Sequence, residues 1–187
     1  MIHSNSHPVG LVENWLDLFG QDATVTFSIY SYRPQQVKDE RKLLSVPMEK
    51  VSANWLSSQL AGLPIGSEFA MHSSIRHGGG MQGHIPMVDF CAKDFDVCVK
   101  AASMINNEMG IALDLFDSGR SFHGYGRSIL SHSAWEKFMA LLLLINLPGH
   151  SSVIDTRWIG HRLLAGYSAL RWSANSSHYL KLPTKVS

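Results

Sequence analysis

At 187 residues the chain is long enough for one domain with a sizeable core. Apolar residues make up 45% and charged residues 17%, with a net charge near +1, so no global basic field recruits nucleic acid and any polyanion contact must come from a local patch. The two cysteines, Cys91 and Cys98, exclude a disulfide framework and match no zinc spacing, and the expected setting is reducing and cytoplasmic.

The N-terminal "MIHSNSHPVGLVENWLDLFG" has no basic region followed by an apolar run and is not expected to be a signal peptide. Within it, residues 10–19 carry helical apolar spacing. "ATVTFSIYSY" (23–32) is β-branched and aromatic and reads as a strand, and "RPQQVKDERK" (33–42) as a charged loop. A helix is expected over 47–62, from a proline to a glycine, then a strand over 67–75. "RHGGGMQG" (76–83) is expected to be a flexible loop and a weak boundary, followed by a strand over 84–91. Residues 94–110 read as a helix with acids at its start and a glycine at its end. A strand (111–119) and its hairpin partner (121–130) precede the strongest helix, 131–147. The longest apolar run, "FMALLLLINL", is too short to span a bilayer, so no membrane partner is expected. Residues 151–158 begin as a short strand ending in an acid, and a helical turn over 159–166, a last strand over 168–176 and a tail complete the chain. This order predicts an α+β fold with a mixed or antiparallel sheet.

Several motifs fail on inspection. "HGGG" (77–80) is the wording of an esterase oxyanion loop, but no G-x-S-x-G elbow follows. Neither a P-loop nor a dinucleotide fingerprint is present. His72, His77 and His84 cluster in sequence, a pattern that scattered surface histidines explain better than a metal site.

One constellation survives. Asp89 follows apolar residues in "PMVDF", Ser121 and His123 lie two apart in "SGRSFHGYG", and Asp155 follows two β-branched residues in "VIDTRW". Period two places Ser121 and His123 on one strand face and Arg120 on the other. Arg157, His161, Arg162 and Arg171 follow. Two carboxylates can hold a divalent metal, while serine, histidine and arginine can hold phosphate. Taken singly, a strand-terminal aspartate is as readily a turn former or a helix cap. Trp158, Tyr125 and Trp172 are candidates for base stacking, with core packing the commoner role for each.

In that order, "MVDFC", "SFH" and "ID" resemble the three signatures of the archaeo-eukaryotic primase superfamily, the primase-polymerases, in a compact bacterial branch. The resemblance covers residues 67–180. It implies one primase-like domain, with a small N-terminal α/β unit (1–76) and an RRM-like catalytic half (77–187). It also implies a template-dependent nucleotidyltransferase of the kind used in DNA replication. Asp89 and Asp155 would hold Mg²⁺ or Mn²⁺. Ser121, His123 and Arg171 would hold the phosphates of a nucleoside triphosphate, supported by Arg157, Arg162, Ser173 and Asn175. A single-stranded nucleic acid and a protein partner in a larger complex are further expected partners.

The pattern departs at one place: where the family has a second acid two residues after the first, this chain has Cys91. Asp94 and Asp96 lie beyond the expected strand. The alternative is therefore a catalytically degenerate primase fold that binds nucleotide or nucleic acid without chemistry. A nuclease or hydrolase on the same ligands is a third reading.

Overall fold

The structure is a computed structural model and describes residues 2–31, 33, 37, 40–77 and 80–186. The fold is α+β, and every strand pairing is antiparallel.

One sheet is built from β1 (Thr24–Tyr30), β2 (Lys42–Pro47), β3 (Glu68–His77), β4 (Met81–His84) and β8 (Ala169–Arg171). β1 occupies one edge of β3 along its length. β4 takes the His77 end of the other edge and β8 the Glu68 end. The second sheet runs β5 (Met87–Asp89), β7 (Phe122–Gly126), β6 (Leu113–Asp117) and β9 (Thr184–Lys185). The chain crosses from the first sheet to the second through Ile85 and Pro86. Gly126 is needed there, because a Cβ on it would lie 2.8–3.0 Å from the Pro86 ring.

The helices are α1 (Val12–Phe19), α2 (Ala53–Ala61), α3 (Phe95–Met109), α4 (His132–Ile145) and α5 (Thr156–Ala165). Side chains set their starts. Ser52, Asp94, Ser131 and Asp155 each accept a backbone N–H from the first turn of the helix that follows. α3 and α5 end at Gly110 and Gly166, both in left-handed backbone (φ 67 and 77). Two cores result. Under the first sheet, Phe27 stacks on Phe69 at 4.9 Å, and Trp172 meets Phe27 edge-on. Under α3, α4 and α5, Phe90, Trp135, Phe138, Leu142 and Ile154 form the second. No helix among the described residues is long and apolar enough to cross a membrane.

Several boundaries differ from the sequence expectation. Residues 42–47, of which Lys42 was expected to end a loop and Pro47 to start a helix while 43–46 carried no assignment, form β2, an edge strand that finds its pairing in β1. Pro47 ends that strand, and the helix begins only after the Ser52 cap. The expected loop over 76–83 contributes the ends of β3 and β4, while Gly78 and Gly79 lie outside the described residues, as does much of the charged loop at 33–42. The short strand expected at the start of 151–158, ending at Asp155, reduces to one bridge, Ile154 to Phe90, before α5 begins at Thr156 and takes in the expected helical turn. The last strand is three residues, and the tail supplies β9.

Candidate functional site

A cleft of about 1020 Å³ opens between the two sheets, with α5 along one side. Six of the eight arginines in the chain line it: Arg33, Arg41, Arg120, Arg157, Arg162 and Arg171. Lys93 joins them, against Glu40, Asp89 and Asp155. A chain of near-zero net charge thus gathers its guanidinium groups at one place.

Asp89 is the last residue of β5, and His123 stands directly opposite it on β7. Paired positions on an antiparallel ladder share a face, so both side chains point into the cleft. His123 Nε2 lies 3.7 Å from Asp89 Oδ1, just outside hydrogen-bond reach. His123 is buried, and its Nδ1 has no hydrogen-bond partner. Desolvation, with the Arg171 charge second, holds its pKa well below the ordinary histidine value, so the ring is neutral at physiological pH. The two residues are therefore neighbours without forming a charged bridge.

Asp155 joins them through the backbone. Its N–H donates to the Asp89 carbonyl at 3.0 Å, next to the Phe90–Ile154 bridge. Its carboxylate caps α5, accepting the N–H groups of Arg157 and Trp158. The N-terminal end of α5 therefore faces the cleft with its partial positive charge. Asp89 keeps 27% of its side-chain surface open to the cleft, while protein packs around the rest. Burial first, and the Asp155 charge second, raise its pKa from 3.8 to about 7, against the opposing pull of Arg171 and Arg162. A cation between the two carboxylates would relieve both causes. Cys91 also lines the cleft, donates its thiol to the Ser152 carbonyl at 3.1 Å, and has its pKa raised by desolvation and by both aspartates.

Ser121 lies in the turn ahead of β7 and reaches the same cleft as His123. Ser118 Oγ donates to the Ser121 carbonyl and Gly119 N–H to Asp117, which tightens this turn. The same turn brings Arg120 into the cleft as well, where strand alternation had put it on the opposite face. Arg157, His161 and Arg162 reach in from α5.

Arg171 lines the cleft, but its hydrogen bonds run to main-chain carbonyls: Ser118, Ser173 and Lys181. It ties the β6–β7 turn of one sheet to β8 of the other, with its guanidinium 4.0 Å over the Tyr179 ring. Ser173 and Asn175, expected at the nucleotide, are not among the lining residues. The Ser173 hydroxyl donates to the buried Glu68 carboxylate, the Asn175 N–H donates to the same group, and the Asn175 amide serves Pro64 and Ser67. Glu68, over a hundred residues away in sequence, claims their donors. Tyr125 and Trp172 are fully buried and bonded to each other, so neither can stack on a base. Trp158 lines the cleft, its indole N–H donated to Ala169.

The histidine cluster is dispersed. His72 stacks on Tyr167, His77 packs on Phe19, and His84 contacts Ser73 and His132. Among the described residues there is no group of three His, Cys, Asp or Glu able to hold a metal alone. Sequence reasoning missed Tyr30, Arg41 and Tyr179. Arg41 sits 4.1 Å over the Tyr30 ring at the end of β1, and Tyr179 comes from the tail. Nothing in their local sequence marks them as neighbours.

Comparison with curated proteins and with solved structures gave no match. A family model, AEP-like, described as archaeo-eukaryotic primase 1D-like, matches residues 47–184, which include β5, β7, α5 and every element flanking Asp89, His123 and Asp155. With most of its length so matched, the chain belongs to the archaeo-eukaryotic primase 1D-like family.

Proposed function

We propose that the chain is a primase-type nucleotidyltransferase, adding nucleotides on a single-stranded nucleic-acid template. The observation that carries the reading is the joining of Asp89, His123 and Asp155 on adjacent backbone segments at the floor of an arginine-lined cleft. Within one domain, residues 77–187 are assigned as the RRM-like catalytic half and residues 1–76 as the N-terminal unit, with β4 and β8 joining the sheet of the latter.

Asp89 and Asp155 fit one hard cation. Mg²⁺ is usually held by one or two carboxylates, with substrate phosphates and water completing its shell. The cleft offers two carboxylates of that kind, with the Asp155 charge acting on Asp89. Bound Mg²⁺ or Mn²⁺ would supply charge neutralisation of the triphosphate and a lowered pKa for the attacking 3′-hydroxyl.

The remaining work falls to side chains. Asp89, with its pKa near 7, surrenders its proton easily as a cation arrives. Arg120, Arg157 and Arg162 supply the fork geometry that matches phosphate. The neutral His123 ring and the Ser121 hydroxyl offer single hydrogen bonds beside them. Arg171 contributes its field and holds the β6–β7 turn in place, since its Nη1 and Nη2 already face carbonyls. Trp158 offers an aromatic surface for a base.

The test is nucleotide incorporation on primed and unprimed single-stranded DNA with Mn²⁺, comparing wild type with Asp89→Asn and Asp155→Asn. Loss of at least about a hundredfold in each is expected, in line with removing one preorganised charge from a reacting centre. Full activity in either variant overturns the assignment. Cys91 favours a second reading, a fold that binds nucleotide without chemistry inside a larger assembly. Nucleotide binding with no product in any metal would decide for it.

A further inference from the structure

Two cations about 3.5–4 Å apart need carboxylates on both sides of the pair. The floor of the cleft has Asp89 and Asp155, and the geometry around them shows where a third ligand would have to stand. In an extended segment the same face recurs every second residue. Two residues before Asp89 is Met87, fully buried in the core. Two residues after it is Cys91, which lines the cleft. The Cys91 N–H donates to Val153 at 2.9 Å, so the pairing that sets Asp89 beside Asp155 continues to position 91.

That position holds sulfur. The thiol hydrogen goes to the Ser152 carbonyl, and a thiol is a poor ligand for cations that take oxygen. The next acids along the chain are committed elsewhere. Asp94 caps α3 by accepting the Asp96 N–H, and neither residue lines the cleft. Glu40 reaches the cleft from the segment ahead of β2 and completes no group of three ligands among the described residues.

We infer that the cleft holds one divalent cation with its nucleotide and not two, and that Cys91 is the residue that sets this number. The inference rests on the nucleotidyltransferase reading. Cys91 is then a determinant of metal stoichiometry and not a ligand.

The experiment counts Mn²⁺ by electron paramagnetic resonance on the full chain with a non-hydrolysable nucleoside triphosphate. Wild type is expected to bind one ion per chain, with no spin-coupled dinuclear signal. Cys91→Ser keeps a donor for the Ser152 carbonyl and should bind one ion with unchanged affinity. Cys91→Asp should bind a second ion and show the coupled signal. Asp89→Asn should weaken the single ion at least tenfold. Two coupled ions in wild type would overturn the inference and leave the nucleotidyltransferase reading standing. A tenfold weaker ion in Cys91→Ser would make the sulfur a ligand and overturn it too, as would a single ion in a folded Cys91→Asp. An ion indifferent to Asp89→Asn would be carried by the nucleotide alone, and would sink the metal reading of the site together with the inference.

Discussion

The raised pKa of Asp89 makes a stability prediction with a sign and a size. The carboxyl titrates at about 7 in the fold against 3.8 for an ordinary aspartate. At about 1.4 kcal/mol per pH unit, the ionised group costs the fold about 4 kcal/mol. Between those two values the folded protein keeps a proton that the unfolded chain has released. The contribution of Asp89 to stability therefore falls as pH rises through this window, and the loss is complete above about pH 7. Asp89→Asn has no proton to lose and escapes the penalty. Between about pH 5 and about pH 8 its advantage over wild type should grow by about 2 to 3 kcal/mol. This figure is a ceiling, because the 27% of the side chain that meets solvent is screened.

Urea unfolding followed by tryptophan fluorescence, in chelator at both pH values, measures it. The buried neutral histidines His7, His84 and His123 also titrate on unfolding. They do so in both proteins, so the difference between variants isolates Asp89. The causes that lower His123 are burial, Arg171 and His7, not Asp89. Adding Mn²⁺ at the higher pH should stabilise wild type more than Asp89→Asn. A difference between the proteins that does not change with pH would refute the reasoning. So would a wild type that gains on the variant as pH rises, since the cleft arginines would then outweigh burial and Asp155.

Asp155→Asn should keep the α5 cap, because asparagine caps as well as aspartate. Asp155→Ala should lose about 1 kcal/mol in chemical denaturation, and both should lose activity, so stability and chemistry separate at one residue. Arg171→Ala leaves three main-chain carbonyls without their donor and should cost about 3 kcal/mol or more, read as a fall of about 6 to 12 °C in Tm. Lysine at 171 lacks the fork and should not restore it. Gly126→Ala drives a methyl into Pro86 and should destabilise by about 1 to 3 kcal/mol in urea, most of it felt where β5 meets β7.

Asp89 was legible because it follows a short apolar lead on a strand, and His123 because it lies two residues after Ser121; strand pairing then set the two face to face. Asp155 was legible as a residue but not as a structure. "VID" carries the β-branched signature of a strand, and Ile154 does bridge Phe90, yet the next residue opens a helix that Asp155 caps. β2 escaped because an exposed edge strand needs no regular alternation: only Val46 is buried in it. Ser173 and Asn175 were placed at the nucleotide by proximity to Arg171 along the chain. What redirects them is Glu68 on β3, and a contact that distant leaves no local trace. Arg171 was found for the right neighbourhood, but the carbonyls that take its donors come from turns that no local pattern can align.

The near-zero net charge looked like an argument against gripping a polyanion, and the structure changes what that number means. Outside the cleft, two acids meet three bases: Asp114 holds Arg127 at 2.6 Å and reaches Lys185, and Asp117 holds Lys181 at 2.7 Å. Inside it, six arginines face two coupled carboxylates and one glutamate. The balance is thus local, and negative charge sits where a cation would be needed while positive charge surrounds it where phosphates would lie. A phosphate brought alone would meet the field of Asp89 and Asp155, and a cation brought alone would meet the guanidinium groups. A cation and a triphosphate arriving together satisfy both. On this argument binding of nucleotide and divalent cation should be mutually dependent, each strengthening the other by the same factor.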